Sequence, residues 1–119
     1  MELKNNAYLV DGLPVTSLAD KYGSPLYIYE TAVMERQYKR LIKAFGSTRV
    51  KINFACKALT NINVLKHFRG LGSGLDAVSI QEVELGLRAG FNPKDILFTP
   101  NCVSIEEIEE GVEAGVKIN

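Results

Sequence analysis

Residues 50–61 read Val-Lys-Ile-Asn-Phe-Ala-Cys-Lys-Ala-Leu-Thr-Asn, an apolar run that passes at Cys56-Lys57 into a polar junction. The same change returns twice, where residues 75–78 give way to Ser79 and residues 96–99 to Pro100-Asn-Cys-Val-Ser104, and a further apolar run opens at Val116. Starting at positions 50, 75, 96 and 116, the runs are 25, 21 and 20 residues apart, a spacing suited to repeated βα units. Strand and helix patterns alternate, and that alternation predicts a parallel sheet.

The stretches between the runs have helical period. Ile105, Ile108 and Val112 predict one apolar stripe facing the sheet, with Glu106, Glu107, Glu109 and Glu110 on a solvated face and not in a metal site. Ile80, Val83 and Leu87 repeat the stripe, as do Val64, Leu65, Phe68 and Leu71. Ser79-x-x-Glu82 and Ser104-x-x-Glu107 both fit the capping box. The helical patterns end at Gly46, Gly70, Gly90 and Gly115. Before them, apolar residues around Asp11-Gly12 predict a hairpin, Thr16 or Ser17 caps a short helix ending at Gly23, and residues 26–29 read as a strand.

Of 119 residues, 46% are hydrophobic and 24% charged, with 14 basic against 14 acidic side chains. This is the composition of a soluble globular domain, with no charge excess to draw in nucleic acid or an anionic membrane. No apolar stretch has the length of a spanning helix and the first residues have no signal core, so the expected location is the cytoplasm. Cys56 and Cys102, 46 positions apart without a metal-ligand pattern, read as reduced thiols.

In parallel α/β folds, chemistry collects where strands end and helices begin. Lys57 stands at such a point; on a stiff strand and partly desolvated, its amine could form a Schiff base, although on spacing alone a solvated strand-end lysine is the leading reading. Asp76 ends the next run at the same edge, able to hold a cation or to serve as an N-cap or turn residue. Glu82 has a capping role and a pocket role open to it. His67 reads as a surface or helix-packing residue. The run Gly70-Leu-Gly-Ser-Gly74 precedes a strand, the wrong context for a phosphate loop.

Asn53-Phe-Ala-Cys-Lys-Ala58, Leu75-Asp-Ala-Val-Ser79 with Glu82 and Glu84, and Ile96-Leu-Phe-Thr99 resemble the N-terminal half of the pyridoxal-phosphate decarboxylases with an alanine-racemase-like barrel. The resemblance runs over nearly the whole chain. It implies the N-terminal portion of a (β/α)8 TIM barrel of PLP fold type III, with residues 1–30 as a preceding β segment that associates with a C-terminal β domain and residues 31–119 as the first βα units. It implies pyridoxal 5'-phosphate as cofactor, with Lys57 as the catalytic residue in Schiff-base linkage to it, Asp76 near that linkage, Ala55 near the ring and Glu82 supporting the pocket. Many relatives have asparagine two positions after the lysine, where this chain has Leu59.

The implied activity is decarboxylation of meso-2,6-diaminopimelate to L-lysine. Decarboxylation of ornithine, arginine or carboxynorspermidine, or cofactor binding without turnover, are the alternatives. The implied partners are an amino-acid substrate and a second copy of the full-length chain, with no nucleic acid, membrane or metal. A closed barrel takes about 250 residues, so residues 1–119 are expected to be one part of such a protein and inactive alone.

Overall fold

A computed structural model describes residues 1–119, which divide into two compact units, residues 1–41 and 42–119. In the first, β1 (Glu2–Lys4), β2 (Ala7–Val10) and β3 (Leu13–Pro14) form an antiparallel sheet in that order. The β2–β3 turn falls at Asp11-Gly12 as predicted, both with positive φ. A second turn, at Asn5-Asn6, adds β1: asparagine tolerates the left-handed region that such a turn requires.

Helix α1 (Val15–Tyr22) starts one residue before the predicted caps, with Pro14 as an N-cap that offers no side-chain acceptor. Residues 26–29 pair with no strand, so the strand predicted there is an unladdered connection. It leads into α2 (Thr31–Ala44), and Glu30 accepts from the Met1 amine at 2.5 and 2.8 Å.

The second unit alternates β4 (Asn53–Ala55), α3 (Ile62–Gly70), β5 (Gly74–Ala77), α4 (Ile80–Arg88), β6 (Ile96–Phe98), α5 (Ile105–Glu113) and β7 (Lys117–Ile118). All four strands are parallel and lie in chain order. Leu75, Ala77, Ile96 and Phe98 are fully buried on the face that the helices cover, with Leu65 and Val83 against them. Glycine allows the close approach: a Cβ on Gly86 would stand 2.4 Å from Leu75 Cδ2, and one on Gly111 2.8 Å from Phe98 Cδ1.

That approach revises the expected face of α5. Gly111 is buried and Ile108 half-buried, whereas Ile105 and Val112 are each 62% exposed. With Gly111 against Phe98 the helix turns its small residue to the sheet, and the i, i+3, i+7 stripe is rotated partly into solvent.

Candidate functional site

Three strand ends form the edge from which the helices depart. β4 runs into a one-turn 3₁₀ helix, Cys56–Ala58, which carries Lys57. Asp76 is the penultimate residue of β5, and Thr99 follows β6 directly. Ala55 is the register partner of Asp76 and Asp76 that of Leu97. Since side chains alternate along a strand, these three form one row on the face turned away from the helices.

Lys57 is exposed, and its amine has no ion pair or hydrogen bond. Of the two readings that the sequence leaves open, residues 1–119 present the solvated strand-end lysine. The strand ends at Ala55 because Cys56 turns fully into the core, and the helical turn that follows lifts Lys57 into solvent.

Asp76 is half-buried, and its Oδ1 accepts from the Thr99 hydroxyl at 3.0 Å. It caps no helix; Ser79 does that for α4, accepting from the Glu82 N–H at 3.3 Å. Glu82 is half-buried and departs from the predicted capping box. Its Oε2 accepts at 2.8 Å from the N–H of Val78, one residue beyond the cap, so it ties down the whole β5–α4 turn. Ser104 and Glu107 form the complete box, and Asn61 caps α3 by accepting from Asn63 and Val64 N–H.

Cys56 is the charged site's buried neighbour. Burial, and after it the charge of Glu82, push its thiol up to about 11. His67 packs edge-on to the Phe68 ring with centroids 6.2 Å apart, in keeping with a helix-packing role, and its Nε2 is buried without a partner.

The glycine run lies at the other end of the sheet, before β5. Gly72 takes a φ of +87°, and the Ser73 hydroxyl bonds to the Ile52 and Gly74 carbonyl oxygens at 3.1 and 2.7 Å, so the run is a structural turn. A cleft of about 190 Å³ there is lined by Lys51, Asn53, Asp95 and Lys117 among others, at the strand starts and so at the end of the sheet opposite the Lys57 edge.

Two residues of the edge were not singled out by the sequence reading. Thr99 gave one signal, a hydroxyl at a strand end just before proline. Cys56 gave none beyond its place beside Lys57.

The donor set fits the aldehyde end of pyridoxal phosphate. A primary amine without protein partners can condense with a carbonyl. Beside it stand Ala55, with a single methyl, and Asp76, whose second carboxylate oxygen takes no hydrogen bond.

Residues 31–119 match the family described as pyridoxal-dependent decarboxylase, pyridoxal binding domain. The chain is 41% identical over 113 residues to the diaminopimelate decarboxylase of Methanothermobacter thermautotrophicus, covering 93% of this chain and 26% of the relative. It is 37% identical over 116 residues to that of Haemophilus influenzae, covering 98% and 28%. The crystal structure of the diaminopimelate decarboxylase of M. jannaschii superposes with a TM-score of 0.92 at 31% identity, covering 99% of this chain and 29% of that one. The chain thus spans roughly a quarter of the length of these relatives, and its fold is the corresponding part of the alanine-racemase-like barrel.

Proposed function

The chain belongs to the pyridoxal-dependent decarboxylases, whose pyridoxal-binding domain it matches over residues 31–119, and on that premise we propose that it is the cofactor-bearing part of an enzyme converting meso-2,6-diaminopimelate to L-lysine and carbon dioxide. The observation that carries the reading is the meeting, at one sheet edge, of the unpartnered amine of Lys57 with the row of Ala55 and Asp76. Similarity to diaminopimelate decarboxylases at 41% and 37% identity supports the substrate.

When bound, pyridoxal phosphate supplies an electron sink for the pair left behind as carbon dioxide departs. Lys57 would hold the cofactor through Nζ, its unpartnered amine being free to condense with an aldehyde carbon. Asp76 offers a carboxylate to a cationic nitrogen at that position. Ala55 leaves room for a planar ring beside the strand row. Glu82 acts one step away, fixing the β5–α4 turn on which Asp76 stands.

Substrate reading, the phosphate site and the partner of the pyridine nitrogen are assigned to residues outside 1–119. The full-length protein is taken to be a cytoplasmic homodimer; no helix of residues 1–119 is long and apolar enough to cross a membrane. Residues 1–30 are assigned to association with a C-terminal β domain.

The test uses the whole gene product. The expected result is L-lysine and carbon dioxide from meso-diaminopimelate, with Lys57→Ala abolishing both turnover and the visible absorbance of bound cofactor. Release of carbon dioxide only from ornithine, arginine or carboxynorspermidine would reassign the substrate. Bound cofactor with no release from any amino acid would make the protein a non-catalytic binding barrel. Borohydride trapping of a keto substrate on Lys57 without cofactor would refute the reading in favour of an aldolase.

A further inference from the structure

We propose that Thr99 is the positioning residue for Asp76, setting the carboxylate in the orientation that meets the cationic nitrogen at Lys57; the inference rests on the function proposed above. The contact joins neighbouring strands at the edge, with Thr99 Oγ1 donating to Asp76 Oδ1 at 3.0 Å across 23 residues of sequence. It involves the only proton that a threonine hydroxyl carries. Oδ2 is left without a hydrogen bond in the chain, and it is the oxygen available to the site.

The need for such a residue follows from the aspartate itself. The terminal torsion of an aspartate joins sp³ to sp² carbon and is broad, so the strand fixes where Asp76 stands without fixing how its carboxylate plane turns. A half-buried carboxylate with one anchored oxygen presents the other in a single direction.

Thr99 is equipped to be that anchor. Its N–H donates to the Ala77 carbonyl at 2.7 Å, holding it to β5. Pro100 follows it, and a residue before proline is confined to extended backbone. Its branched Cβ then restricts χ1. Backbone bond and proline fix where Thr99 stands beside β5, and branching limits the rotamers among which the one facing Asp76 is found.

The experiment compares Thr99→Val, which keeps the shape and removes the hydroxyl, with Thr99→Ser, which keeps the hydroxyl, in the full-length protein. In the cofactor-free form, Thr99→Val should shift the ¹³C resonance of the Asp76 carboxyl and Thr99→Ser should leave it near the wild-type position. In the loaded enzyme Thr99→Val should lower kcat about tenfold or more while KM changes by less than about twofold, with Thr99→Ser restoring kcat. In an Asp76→Ala background, where the acceptor for the Thr99 hydroxyl is gone, Thr99→Val should cost nothing further.

A wild-type resonance and kcat in Thr99→Val, equal impairment in Thr99→Ser, or an undiminished effect in the Asp76→Ala background would each overturn the proposal. If Thr99→Val does not fold, Thr99→Ala against Thr99→Ser decides by the same criteria. A wild-type protein that neither binds pyridoxal phosphate nor releases carbon dioxide would overturn the proposed function instead, and the carboxyl resonance of the cofactor-free protein would still decide whether Thr99 orients Asp76.

Discussion

Alkaline solution should weaken this fold through one thiol. Cys56 is fully buried in the cluster that holds Leu65, Leu75 and Val83, and burial together with the charge of Glu82 raises its pKa from 9.0 to about 11. In the unfolded chain the thiol regains water and titrates near its ordinary value. Below pH 9 both states hold the proton and the group contributes no slope. Between pH 9 and 11 the unfolded state has released a proton that the folded state retains, so it binds fewer protons and stability falls as pH rises. Each pH unit well inside that window costs about 1 kcal/mol, so the loss by pH 11 is on the order of 2 kcal/mol.

The assay is urea denaturation at pH steps from 8 to 11, run in parallel on the wild-type chain and Cys56→Ala. Every other ionisable group is common to both proteins, so the difference between the two isolates Cys56. The alanine variant begins less stable by the loss of buried sulfur, and the gap should close by about 2 kcal/mol as pH rises to 11. Glu82→Gln should narrow the window, because it removes the second cause of the shift and leaves burial in place. A gap constant to within about 0.5 kcal/mol across the range would refute the reasoning.

Three further outcomes concern packing and caps. Gly86→Ala should destabilise by about 1 kcal/mol: the helix gains about 1 kcal/mol in propensity, but the methyl meets Leu75 Cδ2 at 2.4 Å and Ile96 Cδ1 at 3.2 Å in a filled core, where overpacking costs about 1–3 kcal/mol. Gly70→Ala, with nothing within 4 Å of its Cβ and an ordinary helical φ, should instead stabilise by about 0.5–1 kcal/mol, and thermal melting of the pair separates the two effects. Ser104→Ala should lower stability by about 1 kcal/mol by removing the acceptor for Glu107 N–H, and NMR titration should show the Glu106 carboxyl, now held below its usual range first by Ser104, moving back upward.

The parallel sheet was legible because its strands are nearly continuous apolar runs at even spacing, and the edge was legible because Lys57 and Asp76 interrupt those runs at matching places. Features that depend on a neighbour were not. The exposure of Ile105 and Val112 follows from the contact of Gly111 with Phe98, and periodicity within α5 alone carries no record of a glycine used for approach. The Asn5-Asn6 turn carries a weaker sequence signal, because asparagine marks a left-handed turn less strongly than the Asp-Gly at residues 11 and 12. Glu82 sits at the capping-box spacing, yet its carboxylate reaches Val78 N–H, a choice made by the course of the turn. The bond between Thr99 and Asp76 spans 23 residues and exists only once β5 and β6 are in register.

That register is where packing and chemistry meet. Leu75 and Ala77 go to the helix face and Asp76, between them, to the other, in step with Ile96, Phe98 and Leu97 on β6. A slip of β5 by one residue would expose the two apolar side chains and drive the Asp76 carboxylate toward Leu65 and Val83, where an unpaired charge costs several kcal/mol. Ala55 constrains the same row from β4, since its partner across the ladder is Asp76 and the residue after it, Cys56, is fully buried. The core therefore selects the one alignment in which Lys57, Asp76 and Thr99 reach the same edge. Substitutions at Leu75 or Ile96 that loosen the register should for that reason disturb the carboxylate before they unfold the chain.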